Sequence, residues 1–390
     1  MTGATGVLGA HLLKVLLRDT DSQIYCLVRA GTAAHGKERL HAFVKSYDPE
    51  NLLADRFEAR VTAVVGDVVS HRFGLSEPDY RKLCDQIDLT IHSAAITNLF
   101  LSYRRIEPSN VGGTKNIIDF CLQTKQKYLC HVSTHTVMGD KTFDKSLAFK
   151  ETDLDIGQGF EHMTYQQTKF EGEKMVHEAR HRGLRWTIMR PGQIFGEAKT
   201  GYYPQGQSNV SGLFYDIFKT VIETGTALYS QAHFDVVPVD YVSEAIVETG
   251  IKNVELYRVY HLTNPDAKRY FEVIQLLKDS GYRINVVPQA EYKRMLKQRV
   301  FTIGGVEYKS STLSAFRWWF KREKFDFKES AMTDCEATVN RLKEAGIVCP
   351  KLDLRLMATY IQQAVKLNYF PRPGHYPERV AVEAEIEVPI

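Results

Sequence analysis

A chain of 390 residues, 44% apolar and 25% charged, is long enough to bury a large core and points to two domains. Its 50 Lys and Arg against 47 Asp and Glu leave a net charge of +3, nearly neutral for this length, which gives no reason to expect nucleic acid or an anionic membrane surface as the main partner. There is no apolar run of bilayer-spanning length, and the N-terminus is glycine-rich rather than basic and then apolar, so neither an integral membrane segment nor a signal peptide is expected and the cytoplasm is the default location.

The chain opens on Thr2-Gly3-Ala4-Thr5-Gly6-Val7-Leu8-Gly9, three glycines at a spacing of three running into a helical pattern of Leu8, Leu12, Leu13, Leu16 and Leu17. A flexible glycine-rich terminus has the same composition, and GxxGxxG differs from the commoner GxGxxG, so the neighbouring elements must decide. A buried strand at Ile24–Val28 comes next, which makes the loop and helix half of a βαβ unit. In such a unit one glycine permits the turn, the next lets a diphosphate approach the backbone, and the third lets the helix pack on the sheet, while the helix N-terminus attracts the anion. The strand that should precede Gly3 would lie upstream of Met1. The sequence therefore reads as cut from, or started late within, a longer chain, with unpaired edges expected on the two strands beside the gap.

At the end of Ile24–Val28, where NAD-binding chains place a carboxylate for the ribose 2′-hydroxyl, stands Arg29, with Arg39 on the next helix. Two guanidiniums suit a 2′-phosphate, hence NADP(H), although both are also ordinary surface residue types. Further strands are expected at Val61–Val65, Leu89–His92, Tyr128–Val132, 186–189 and 257–262, alternating with helices as in a parallel, doubly wound Rossmann-type α/β sheet. Gly66-Asp67 and Ser93-Ala94-Ala95 follow two of these strands, where small residues leave room for adenine and ribose. Asn110 either holds a water for a proton relay or caps a helix.

Acid–base chemistry enters at Tyr165 and Lys169, one helical turn apart, so that the ammonium can lower the phenol pKa and favour proton transfer with a substrate oxygen. Tyr215 and Lys219 share the spacing but come after the strands that flank the Tyr165 helix, where packing is the simpler role. Thr134, or its neighbour Ser133, offers a hydroxyl at a strand end where ligands of open α/β sheets bind. Beyond about residue 265 the βα alternation yields to charged helical stretches, read as a helical substrate domain. The boundaries are 1–265 for the cofactor domain, with part of 197–235 open to assignment to the second, 266–380 for the substrate domain and 381–390 for a tail. Cys26, Cys84, Cys121, Cys130, Cys335 and Cys349 show neither CxxC nor Cys/His ligand spacing, so reduced buried thiols are expected and no metal site. Asn209-Val210-Ser211 matches a glycosylation acceptor that has no meaning without secretion.

Taken in order, TGATGVLG, CLVRA, GD, HSAA, NVGGT, HVST, YQQTK and RPG resemble the extended short-chain dehydrogenase/reductases. Within them, PVDYV at 238–242 and the C-terminal AGIVCP, Tyr360 and Phe370-Pro371 are similar to the thioester reductases, which include terminal reductase domains of nonribosomal peptide and polyketide synthases, carboxylic acid reductases and fatty acyl reductases. The resemblance implies a Thr134, Tyr165 and Lys169 triad over NADPH, with Lys169 also holding the nicotinamide ribose and Pro191-Gly192 shaping the loop near the nicotinamide. It implies as substrate an acyl thioester on a carrier-protein phosphopantetheine or on coenzyme A, reduced to aldehyde or onward to alcohol, and an upstream carrier domain as a possible neighbour. Phe316-Arg317-Trp318-Trp319-Phe320-Lys321-Arg322-Glu323-Lys324 would suit an acidic carrier or the phosphates of coenzyme A, but the simpler reading is an amphipathic helix with its aromatics in the core and its charges solvated. Two other functions share parts of the pattern: a nucleotide-sugar epimerase or dehydratase, which Arg29 disfavours, and a non-catalytic NADP sensor, which would have no need of the Tyr/Lys pair.

Overall fold

The computed structural model describes residues 1–99, 101–204, 212–297, 301–303, 306–308 and 329–374. The Asn209 acceptor, the aromatic and basic stretch at 316–324 and the tail at 381–390 lie outside the described residues. The central sheet runs, in spatial order, Val61–Val65, Ile24–Val28, Leu89–His92, Tyr128–Val132, Arg185–Pro191 and Val259–Leu262, and each of its strand pairings is parallel. Tyr128–Val132 is buried at every residue, as a strand covered by helices on both faces must be.

Between Ile24–Val28 and Leu89–His92 the place of a strand is taken by Met1 and Thr2. The Leu27 amide donates to the Met1 carbonyl at 3.0 Å and the Thr2 amide to the Ile91 carbonyl at 2.9 Å, so that Thr2 bridges both neighbours in parallel. The N-terminal ammonium donates to the Tyr25 carbonyl at 2.5 Å. In place of two fully open edges, the first two residues already join the halves of the sheet at the strand ends that matter for ligands. The chain winds outward in both directions from this point, which makes it the switch point at which open α/β sheets bind their ligands.

The helix Val7–Asp19 starts directly after Gly6 and buries Leu8, Leu12, Leu13, Leu16 and Leu17 against the helix Val239–Val247 and the sheet. A second apolar core gathers the Phe195, Tyr215, Phe218 and Phe234 rings with Tyr270, Leu277, Tyr360 and Phe370, and so draws on 195–236 as well as 270–370. Beyond Pro265 the helices Tyr270–Asp279, Gln289–Lys297, Glu336–Glu344 and Leu354–Lys366 alternate with short strands. Three of those strands pair back onto earlier chain: Lys268–Arg269 with His233–Phe234, Asn285–Val287 with Thr226–Leu228, and Met332–Thr333 with Ala148–Phe149. All six cysteines are buried and free.

The close approach of helix and loop can be tested at Gly9, where an added Cβ would stand 2.0 Å from the Gly3 carbonyl oxygen, a backbone atom that cannot rotate away. Gly9→Ala is expected to cost about 1–3 kcal/mol, an overpacking penalty, read as a lower urea midpoint at unchanged m-value.

Candidate active site

A cavity of about 1310 Å3 opens along the C-terminal ends of the central strands. Thr2, Gly3, Thr5, Gly6, Val7, Leu8, Gly9, Arg29, Arg39, Gly66, Asp67, Ser93, Ala94 and Ala95 line it, and so do Thr134, Tyr165, Lys169, Pro191 and Gly192. Gly3 has φ +75, and a Cβ on it would meet the Ala94 amide at 2.7 Å, so this turn requires glycine. Gly6 differs, because the nearest atom to its would-be Cβ is 3.4 Å away and a side chain there would fill the cavity instead. The helix it begins has no side-chain cap and no acidic residue in its first turn, which leaves the N–H groups for an anion. Arg39 donates to the Arg29 carbonyl at 2.5 Å, which brings both guanidinium-bearing residues to the same rim. Together these features fit a dinucleotide: an open glycine floor, free amides at the diphosphate position and cationic residues at the adenosine end.

At the other end, the helix Thr164–Glu178 sets Tyr165 and Lys169 against the end of the central strand. The Lys169 ammonium donates to the Val132 carbonyl at 2.7 Å. Burial lowers the Lys169 pKa to about 8, opposed by the Glu173 carboxylate one turn further along. Burial pushes the Tyr165 phenol up to about 12, opposed by a hydrogen bond with the Thr134 hydroxyl. Burial thus outweighs any lowering of the phenol pKa by Lys169, and the phenol stays protonated near neutrality. Two buried histidines flank the lysine without competing for charge. His92 is lowered to about 3 and His131 well below its usual value, by burial first and the Lys169 charge second.

Asn110 is the predicted residue that the cavity lining does not include. Its Oδ1 accepts from the Ile96 amide at 2.8 Å, and its Nδ2 donates to the Ile96 carbonyl at 3.1 Å and to the Thr168 hydroxyl at 3.0 Å. It ties the loop after the Leu89–His92 strand to the Thr164–Glu178 helix. Tyr215 is buried, with its hydroxyl accepting from the Gly196 amide at 3.2 Å.

Several polar side chains at the site carry no role that the sequence motifs assign. Asp235 is buried against Gly192, whose would-be Cβ falls 1.9 Å from Asp235 Oδ2. Its Oδ1 accepts from the Asn264 amide at 2.7 Å, while Oδ2 has no hydrogen-bond partner among the described residues and lies 4.0 Å from His135 Nδ1. Burial raises the Asp235 carboxyl to about 7 and lowers His135 to about 4, so near neutrality the two do not form a charged pair. Glu173 and Arg190 form an ion pair with no exposed side-chain surface. A usable signal exists for each: Arg190 and Asp235 are charges inside apolar strand runs, which fold only if paired or neutral, and Glu173 follows Lys169 by one turn.

Sheet order, glycine loop and Thr/Tyr/Lys constellation define an NAD(P)-binding fold of the extended short-chain dehydrogenase/reductase type. Residues 1–246 match the model of an NAD-binding family described as Male sterility protein, and the chain belongs to that family, within the thioester reductases of this superfamily. It is 29% identical over 375 residues to a subunit of the linear gramicidin synthase of Brevibacillus parabrevis, covering 96% of this chain and 7% of that protein. It is 29% identical over 318 residues to the L-2-aminoadipate reductase large subunit of Penicillium chrysogenum, covering 77% of this chain and 22% of that one. The chain thus spans less than a quarter of either relative. Among solved structures it resembles the terminal R domain from the myxalamid PKS-NRPS biosynthetic pathway, with a TM-score of 0.83 and 30% identity, covering 95% of this chain and 91% of that one. Among the described residues no helix is long and apolar enough to cross a membrane.

Asp235 makes the site's stability depend on pH. Its folded pKa near 7 stands above the unfolded value of 3.8, so its contribution is most favourable below pH 4 and is lost as pH rises toward 7. Asp235→Asn, which has no charge to bury, is expected to raise Tm relative to the parent more at pH 8 than at pH 4.5, as measured by calorimetry at both values.

Proposed function

We propose that the chain catalyses NADPH-dependent reduction of an acyl thioester, held on a carrier-protein phosphopantetheine or on coenzyme A, to an aldehyde, with a second hydride giving an alcohol where the aldehyde is retained. The observation that carries this reading is that Thr134, Tyr165 and Lys169 line the same cavity as the glycine floor, with burial keeping the phenol protonated. A phenol held protonated is a proton donor, and a carbonyl that accepts hydride needs one. NADPH, when bound, would supply the hydride. Thr134 and Tyr165 would donate to the thioester oxygen as negative charge grows on it, and Tyr165 would release its proton there. Collapse of the resulting hemithioacetal breaks the carbon–sulfur bond as its hydroxyl proton passes to the departing sulfur, so the thiol leaves and the carbonyl reforms, and solvent returns a proton to Tyr165. The Lys169 ammonium, on the same helical face, would stabilise the phenolate left behind and bind the nicotinamide ribose, while Arg29 and Arg39 would take the 2′-phosphate.

Residues 1–265 would form the cofactor domain, with much of 197–235 packed into the substrate side, and 266–380 would complete the acyl pocket. The aromatic walls from Tyr203, Phe214, Phe234 and Tyr270 suit an acyl chain. The names of the relatives, a peptide synthase subunit and an aminoadipate reductase, favour a thioester over a sugar nucleotide and favour a carrier domain upstream as the donor.

The test is NADPH oxidation followed by absorbance with octanoyl-coenzyme A and octanoyl-pantetheine, with NADH as control and products identified by mass spectrometry. Aldehyde or alcohol formed with NADPH supports the reading, and no turnover by folded protein that binds NADPH overturns it. Tyr165→Phe is expected to lower kcat by about 10²–10⁴-fold while NADPH still binds. Arg29→Ala is expected to weaken NADPH binding by about tenfold or more, with little effect on NADH, through loss of a charge-assisted contact. Fluorescence titration with both nucleotides checks it.

A further inference from the structure

We infer that Glu173 is a positioning residue for the reaction: one buried carboxylate ties together the three backbone segments that carry Thr134, the Tyr165–Lys169 pair and the Pro191–Gly192 loop. The inference rests on the proposed reductase chemistry. Ser133, the residue before Thr134, donates its hydroxyl to Glu173 Oε2. Arg190, the residue before Pro191, donates from Nε to Oε1 at 3.0 Å and from Nη2 to Oε1 at 2.6 Å. Glu173 itself stands one turn beyond Lys169 and two beyond Tyr165 on their helix. Each reacting group is therefore one residue or one or two turns from an atom fixed by this carboxylate.

Arg190 extends the same clamp. Its Nη2 donates to the Asp153 carbonyl at 2.6 Å, its Nη1 donates to His261 Nε2 at 3.0 Å, and its guanidinium lies 4.9 Å from the Phe149 ring centroid. His261 is held in the accepting tautomer because its Nδ1 donates to the Asp334 carbonyl at 2.7 Å. The clamp thus runs from the catalytic helix across two strands of the sheet into the 148–153 segment and the chain at 334. A guanidinium–carboxylate contact made through two nitrogens, with no exposed surface, fixes orientation as well as distance, and displacements of about 1 Å at a reacting centre cost roughly 10²-fold in rate.

Glu173 also supplies the negative charge nearest the buried lysine. The other titratable groups facing Lys169 are Tyr165 on its own helix, His92 on Leu89–His92 and His131 on Tyr128–Val132, and burial keeps all three uncharged near neutrality. Around Glu173 stand Arg190, His177 at 3.8 Å on the same helix and, through Arg190, His261. Without the carboxylate, desolvation of Lys169 is opposed by its Val132 carbonyl bond alone among these contacts, and the ammonium gives up its proton at a lower pH.

Glu173→Gln and the double variant Glu173→Gln with Arg190→Met test this together, the second leaving no orphaned guanidinium should the first fail to fold. The expected result is a fall in kcat of about 10- to 100-fold with KM little changed. The alkaline limb of the rate profile and the 13C NMR titration of Lys169, assigned with Lys169→Arg, should both move to lower pH by roughly one unit in the single variant and less in the double. A purely structural role would lower Tm in both variants without moving the Lys169 midpoint, and that outcome overturns the inference, as does an unchanged kcat in a folded variant. If no protein, parent included, reduces a thioester but the Lys169 midpoint still moves, the reductase reading fails while the electrostatic part of the clamp stands.

Discussion

The carbonyl of Gly3 stands where residue 9 would carry a side chain, and the cofactor half of the molecule depends on that contact. The oxygen lies 2.0 Å from the would-be Cβ of Gly9, and Gly3 in turn has Ser93 and Ala94 backbone within 2.8 Å of its own would-be Cβ. Loop, helix and the end of the neighbouring strand are thus in backbone contact on both sides, with no flexible side chain to absorb a substitution. The first two residues join in, because Thr2 donates its amide to Ile91 while its hydroxyl pairs with His92 Nδ1 at 2.8 Å and accepts from the Ala94 amide at 3.2 Å. This makes the loop a rigid floor below the uncapped start of the Val7–Asp19 helix, so little ordering would remain to be done when an anion binds.

The catalytic half is governed by a different constraint, the cost of keeping charge in a buried place. Lys169, Glu173 and Arg190 are all buried, and His92, His131 and His261 lie among them. Burial disfavours further charge there: the three imidazoles are lowered by burial first and by the Lys169 or Arg190 charge second, and burial raises the Tyr165 phenol. Glu173 behaves differently. Burial pushes its carboxyl up, but the Arg190 charge, the neighbouring His177 at 3.8 Å and the hydrogen bonds from Arg190 and Ser133 more than offset this and hold it below the ordinary carboxylate range. Tyr165 therefore presents a protonated phenol to the cavity, with the Lys169 ammonium one turn along the same helix.

Much of this is legible in the sequence where local chemistry forces the structure. The glycine spacing, the strand periodicity and the one-turn separation of Tyr165 and Lys169 each follow from backbone geometry, and the structure places the glycines, the tyrosine and the lysine on one cavity. What is not legible depends on distant segments meeting. Asn110 shows its donors and acceptor in the sequence, but that Ile96 and Thr168 engage them follows only from where those residues meet. Met1 and Thr2 are too short a run to give any periodicity, so their role as a bridge between strands has no signal. The carboxyl of Asp235 and the guanidinium of Arg190 are visible as charges in apolar runs, but their partners, Asn264 and Glu173, are 29 and 17 positions away.

The size of the cavity bears on how the two cores cooperate. Pockets for a single small ligand are typically about 300–1,000 Å3, and this one, at about 1310 Å3, exceeds that range. Its walls change character along its length. Arg29, Arg39 and the glycine loop lie beside the first core, whereas Tyr203, Phe234 and Tyr270 belong to the second, and Thr134, Tyr165 and Gly192 stand where the two meet. A cofactor and an acyl group entering from opposite ends would come together at the proton donor and at no other point. The short strands beyond Pro265 hold that junction in register by pairing onto the chain around residues 148, 227 and 233. On the proposed chemistry, hydride donor, acceptor and acid would align only if both cores keep their relative position, so the aromatic core would serve the reaction by fixing a distance as much as by recognising an acyl chain.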